Sequence, residues 1–568
     1  AGATGTPGAA GSTGTPGAAG STGTPGAAGS TGTPGAAGST GVAGGPTGGS
    51  TGAAGGPGPG VVLTCAAGVP ATSQVPRITR VQYDTVIKDL LGVTTLASAG
   101  NLPPSSLLNE DTTGPLTDIA WNGYLSAAEK IATEVIAGTN KSKFITCADA
   151  TQATCLTNTI KAFGRKAFRR PVTDTEVTSF SRFNTLTPKG TSDQVAESVL
   201  FAMLASPSFI AIPEIGQTTE GTALKLSGTE VAARLSFLLW NSVPDDTLNT
   251  EADANRLATG AQIRTQALRM LQSPKAAAIA STFHRAYSNI AIGTPWTNNM
   301  THSIGNYTSA TYNAAMAEQD AFFAEMVVSG GTFGDLFNSP VGFVTKELAP
   351  IYGVTSSATT PTKTTLDATK RPGFLTRVAF LSTFAHDDTS SPILRGAFVT
   401  QRVLAIPVGD PDPSFIGMMP PPAAYKTNRE ATEALTKDAP CNSCHTAKVN
   451  PPGFVLERFN AVGAWQDTDP LSGPINSTAE VIFSTVPAVK KTVTSPAELM
   501  AEIGKAPNAQ RNYAEKFVSF AAGRSPNPQD TCIVDQISTS MATPTYSLAS
   551  LMADYTQADS FRLRTLGN

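Results

Sequence analysis

Two cysteines and a histidine fall within five residues, Cys441, Cys444 and His445, in a chain of 568 residues that has six cysteines and four histidines. Two thiols on one turn can add across the vinyl groups of a haem while the adjoining imidazole ligates its iron. Zinc is the first rival, but one such knuckle supplies three ligands, and a structural zinc site wants four. No second Cys/His pair lies nearby, since His284, His302 and His386 are far apart and Cys532 stands alone. A Cys441–Cys444 disulfide would leave His445 without a role. The spacing therefore predicts one covalent haem c, with zinc and a plain disulfide as the alternatives.

A haem on His445 leaves a sixth iron position to account for. Met418 and Met419, in the proline-rich GMMPPP at 417–422, are two candidate ligands. Met500 lies downstream, where a distal methionine is often found, although its setting SPAELMAEIG also reads as a core helix face. His386, beside Asp387 and Asp388, is the fourth candidate, as ligand or distal acid, against a surface histidine. Methionine ligation raises the iron potential and suits electron transfer; an open position beside His386 would suit peroxide or oxygen chemistry. Arg395 and Trp465 could bound the pocket, Arg395 meeting a haem propionate; a core-edge arginine and a core tryptophan are the plainer readings.

Four cysteines remain. Cys147 and Cys155 close a short local loop, and Cys65 then pairs with Cys532, joining the start of the body to its end. Even parity suits an oxidising compartment; four buried thiols are the alternative. No Ser/His/Asp, phosphate-loop or paired-carboxylate pattern stands out.

The elements that must position these groups are mostly helical. Capping-box spacing opens helices at Thr79/Gln82, Thr173/Glu176 and Ser227/Glu230, and Gly92 closes the first. REATEALTKDA (429–439) feeds directly into the cysteine pair, and YAEKFVSFAAGR (513–524) is a further amphipathic helix; small c-type cytochromes pack such a first and last helix together. The N-terminus is different. Glycine occupies every third position from Gly2 to Gly44, and residues 1–60 hold 23 of 52 glycines with no charge and no aromatic ring. This is a collagen-like or polyproline-II segment, either a spacer or an element of self-assembly. The organisation reads as a repeat at 1–60, helical domains at 61–210 and 211–350, a Pro/Thr-rich connection at 351–425 and a cytochrome-c-like domain at 426–568. The net charge of −3, from 40 basic and 43 acidic residues, points away from nucleic acid. The most apolar window, 199–213, is broken by Pro207 and too short to span a bilayer.

PRITRVQYDTVIKDLLGV (76–93), KAFGRKAFRRPVTDTEV (161–177), RPGFLTRVAFLSTFAHDDTSSPILRGAFVTQRVL (371–404) and CNSCHTAKVNPPGFVLERFNAVGAWQDTD (441–469) resemble successive landmarks of one family. It comprises exported bacterial proteins built from serial domains of unknown function around a planctomycete-type cytochrome c motif. The resemblance spans about residues 77–560 and implies export and one covalent haem. The leading expectation is an exported monohaem c-type cytochrome-like protein in extracellular electron transfer, at the cell surface, in the periplasm or outside. A haem-dependent peroxidase or oxygenase, and a self-assembling surface fibre that carries a haem, are the alternatives. The redox partner is unknown, and a homo-oligomer or filament would form through the N-terminal repeat.

Overall fold

The first helix, Arg80–Leu91, begins as its sequence requires. Thr79 Oγ1 accepts from the Gln82 N–H at 3.1 Å, and Gln82 Oε1 accepts from the Thr79 N–H at 2.8 Å. Gly92, at φ 69°, ends the helix in the left-handed region that glycine enters without a Cβ penalty. Reciprocal boxes likewise open Asp174–Ser181 and Gly228–Trp240. The computed structural model describes residues 76–94, 117–216, 218–288, 290, 302–409, 424–525 and 528–565, all within the compact unit 54–568. The repeat at 1–60, Cys65, Met418 and Met419 lie outside the described residues.

Helices dominate. Strands are short: an antiparallel set of Thr218–Glu220, Ala223–Lys225 and Leu563–Thr565, the pair Val341–Phe343 with Lys363–Thr365, and the hairpin Ala479–Thr485 with Ala488–Val493. One apolar core gathers helices between Ile78 and Val243, and a larger one runs from Leu226 to Phe561. The Gly228–Trp240 helix joins them, turning Ala233 and Phe237 to the first and Val231, Leu235 and Leu239 to the second. A helix apolar on both faces must be covered on both faces. No described helix is long and apolar enough to cross a membrane.

The amphipathic helix expected near 513–524 forms as Pro507–Ala522, but its partner differs from that of a small cytochrome. It packs principally on Thr531–Ser540 and the central helices, where Phe517 and Tyr513 meet Phe283 edge-on at 5.2 and 5.3 Å. The Asn428–Thr436 helix lies instead against Pro392–Ala397 and the turn that follows the cysteine pair. The larger aromatic core takes the apolar face that a small domain would reserve for its own first helix.

Candidate functional site

The Cys441–His445 turn sits between the end of the Asn428–Thr436 helix and the start of Asn450–Val455. Its main chain is helical, with the His445 N–H donating to the Cys441 carbonyl at 3.0 Å. His445–Val449 then widens into a π-helical turn. The cause is legible in the chain: Pro451 and Pro452 have no N–H, so the regular i→i−4 ladder fails across them. The Lys448 carbonyl, which the residue at 452 would otherwise have bonded, accepts from Thr400 Oγ1 at 2.9 Å. Thr400 lies on a second π-helical stretch, Phe398–Val403, so one irregular segment satisfies a carbonyl of the other.

Two glycines set the distance between the elements. A Cβ on Gly396 would lie 1.9 Å from the Val449 carbonyl oxygen, and one on Gly453 would lie 1.9 Å from that of Pro392. The Pro392–Ala397 and Asn450–Val455 helices therefore cross with main chain against main chain. Arg395, wholly buried, locks the crossing by donating to the carbonyls of Leu456, Phe459, Leu381 and Asn460 at 3.2, 2.7, 2.9 and 2.7 Å.

Cys441 and Cys444 are free, half-buried thiols; Cys444 Sγ donates to the Val408 carbonyl at 3.0 Å. Cys147 and Cys155 form a disulfide with Cα atoms 6.0 Å apart. Cys532 is also disulfide-bonded, and its expected partner, Cys65, is outside the described residues.

The tautomer of His445 follows from its neighbours. Thr436 donates its hydroxyl to the Thr432 carbonyl at 2.7 Å, so its oxygen can only accept from Asn450, 2.8 Å away. That turns the Asn450 amide nitrogen to Thr436 and its oxygen to His445 Nδ1, at 3.2 Å. In the neutral ring Nδ1 is then the protonated nitrogen, and Nε2 makes no hydrogen bond among the described residues. An imidazole anchored through one nitrogen could offer the other to a metal. Among the described residues, no three His, Cys, Asp or Glu side chains converge as a metal cage.

The other predicted site residues go elsewhere. Arg395, read as either a propionate partner or a core-edge arginine, is a buried cross-link whose terminal N–H groups donate to carbonyls. Met500, a candidate sixth ligand that also read as a core helix face, is fully buried in the apolar core beside Leu499 and Ile503. Trp465 packs edge-on against Phe459 at 5.4 Å and donates to Asp467, with Lys370 and Arg458 over its ring; none of these belongs to the cysteine turn. His386 is exposed in a tight turn, its N–H on the Thr389 carbonyl, and it makes no hydrogen bond to the cysteine turn.

Sequence reasoning passed over Asn428, Thr432, Thr436, Asn450 and Glu457. Glu457 is fully buried, with Oε2 accepting from Asn428 Nδ2 at 2.9 Å and Ser390 Oγ at 3.0 Å. Burial pushes its carboxyl up to about 7, against the lowering effect of Arg395 and the two hydrogen bonds, with Asp469 adding to the rise. The available signal was a charged residue inside the apolar run GFVLERF, where only a partnered carboxyl is tolerated.

Five family domains match the chain in series, each described as a protein of unknown function: DUF1587 at 77–137, DUF1595 at 155–214, DUF1592 at 226–354, DUF1588 at 371–469 and DUF1585 at 490–561. The chain belongs to the planctomycete-type serial-domain family. Two of its members' domains, DUF1588 and DUF1585, are cytochrome-c-associated. The cysteine turn, the glycine crossing and Glu457 all fall within the DUF1588 match. No curated protein and no solved structure matches this member of the family.

Proposed function

We propose that this protein is an exported, c-type cytochrome-like electron carrier with one haem attached through Cys441 and Cys444 and its iron on His445. The observation that carries the reading is the anchored imidazole: His445 is held by Asn450 through Nδ1, next to two free thiols on the same turn. The thiols and imidazole do not converge as a zinc cage would require, while thiols bonded to a haem edge need not point at the iron. The Cys147–Cys155 disulfide supports an oxidising compartment, hence export. Bound haem would supply a one-electron couple; the protein's part is to fix the imidazole tautomer and hold the turn against the glycine crossing. Met418 and Met419 remain the proposed source of a sixth ligand, outside the described residues.

Intact mass and a pyridine haemochrome spectrum of the purified protein test this together. The expected result is one haem of added mass, lost in Cys441→Ala/Cys444→Ala. An unmodified mass with bound zinc overturns it.

A further inference from the structure

One face of the Asn428–Thr436 helix carries Asn428, Thr432 and Thr436, each four residues from the next. A polar stripe at this spacing ordinarily faces water, yet Thr432 and Thr436 are buried, as is Asn450. Their hydrogen bonds form one connected series. His445 Nδ1–H donates to Asn450 Oδ1 at 3.2 Å, Asn450 Nδ2 to Thr436 Oγ1 at 2.8 Å, and Thr436 Oγ1 to the Thr432 carbonyl at 2.7 Å. Thr432 Oγ1 then donates to the Asn428 carbonyl at 2.8 Å, and Asn428 Nδ2 to Glu457 Oε2 at 2.9 Å. Every donor lies on the His445 side of its bond and every acceptor on the Glu457 side. The bonds run in one sense, and hydrogen bonds in series polarise one another in a low-dielectric interior.

We infer that Glu457 is a proton-binding site that tunes His445 through this threonine ladder, making the potential of the bound haem depend on pH. The inference rests on the haem reading above. Glu457 is a positioning and tuning residue, since it touches neither His445 nor the reacting atoms. Carbonyl acceptors interrupt the ladder, so it carries polarisation and not protons.

The geometry at Glu457 suits reversible protonation. Among the described residues, its two hydrogen-bond donors both meet Oε2, while Oε1 is buried with no hydrogen-bond partner. A proton on Oε1 therefore leaves both bonds intact. The facing cation, Arg395 on the Pro392–Ala397 helix, stands 4.0 Å from Oε1, its Nη groups held by carbonyls. Asp469, whose Oδ2 accepts from the Asn428 N–H at 2.9 Å, is the second charged group, and its field opposes ionisation. His386 and Asp388, in the turn before Ser390, complete the charged surroundings through Arg395.

The sign follows. Ionised Glu457 draws the Nδ1 proton toward the ladder, strengthens Nε2 as a donor and favours the oxidised, more positive iron. As pH falls through about 7, Glu457 becomes neutral and the potential rises.

Redox titration of the full-length protein, followed in the visible spectrum across about two pH units around neutrality, tests this. A haemochrome spectrum comes first: its absence overturns the proposed function, whereas haem with a pH-independent potential overturns only the ladder. In the wild type the potential is expected to rise on acidification. Glu457→Gln is expected to hold it at the acid-side value throughout. Thr436→Val should abolish the pH dependence while the Glu457 carboxylic-acid infrared band still titrates, and Thr436→Ser should restore it. If Glu457→Gln fails to fold, the Thr436 pair decides alone. Wild-type titration in Thr436→Val would refute the ladder.

Discussion

Replacing Gly396 by alanine places a methyl group 1.9 Å from the Val449 carbonyl oxygen, 3.0 Å from its carbon and 3.1 Å from the Gly453 nitrogen. An ordinary carbon–oxygen contact needs more than about 3 Å, so the two helices must part by roughly 1 Å or more. Neither helix is free to move. Arg395 ties one to the carbonyls of 456, 459 and 460, and Thr400 ties the Lys448 carbonyl to the Phe398–Val403 stretch. Overpacking by side chains costs about 1–3 kcal/mol; here main chain meets methyl, so the upper end, about 3 kcal/mol, is expected. That is roughly a hundredfold or more in the unfolding equilibrium. Gly453→Ala, whose methyl would lie 1.9 Å from the Pro392 oxygen, should cost as much. The double variant should cost less than the sum, because one methyl has already opened the crossing for the other. Gly334→Ala is the control, since its added methyl meets nothing closer than 3.6 Å. Urea unfolding followed by fluorescence measures all four. If Gly396→Ala and Gly453→Ala unfold at the same midpoint as Gly334→Ala, the two main chains do not cross this closely.

Thr400→Val keeps the shape but removes the donor to the Lys448 carbonyl, and should lower stability by about 1–3 kcal/mol in the same urea assay. His284 is buried against Phe323, with Nδ1 on the Ala280 carbonyl and Nε2 accepting from Tyr513, and burial holds it down at about 3. The unfolded histidine titrates near 6.5, so between the two values only the unfolded chain binds the proton. Its contribution is therefore intact above about 6.5 and lost as pH falls toward about 3, at up to about 1.4 kcal/mol per unit. His284→Gln should flatten that part of the acid-unfolding profile, read by circular dichroism; an unchanged slope would refute the assignment.

What the sequence by itself determined was local. Thr79 with Gln82, Thr173 with Glu176 and Ser227 with Glu230 open helices because both partners of each bond lie three residues apart. The Cys441–His445 spacing likewise confines its chemistry to one turn, and Pro451 with Pro452 forces the preceding ladder to widen. Tertiary structure decided everything that depends on distant partners. Asn428, Thr432 and Thr436 carry no signal of burial in their spacing; packing on Pro392–Ala397 and the hydrogen bond from Asn450 decide it. Arg395 read equally as a propionate partner or a core-edge arginine, because three of the four carbonyls it meets are more than 60 residues away. Gly396 and Gly453, 57 residues apart, gain their meaning only when their helices touch. Hydrogen bonds closed within a turn are written in adjacent residues; those that bury a carboxylate or bring two main chains together depend on which surfaces meet, and spacing along the chain does not encode that.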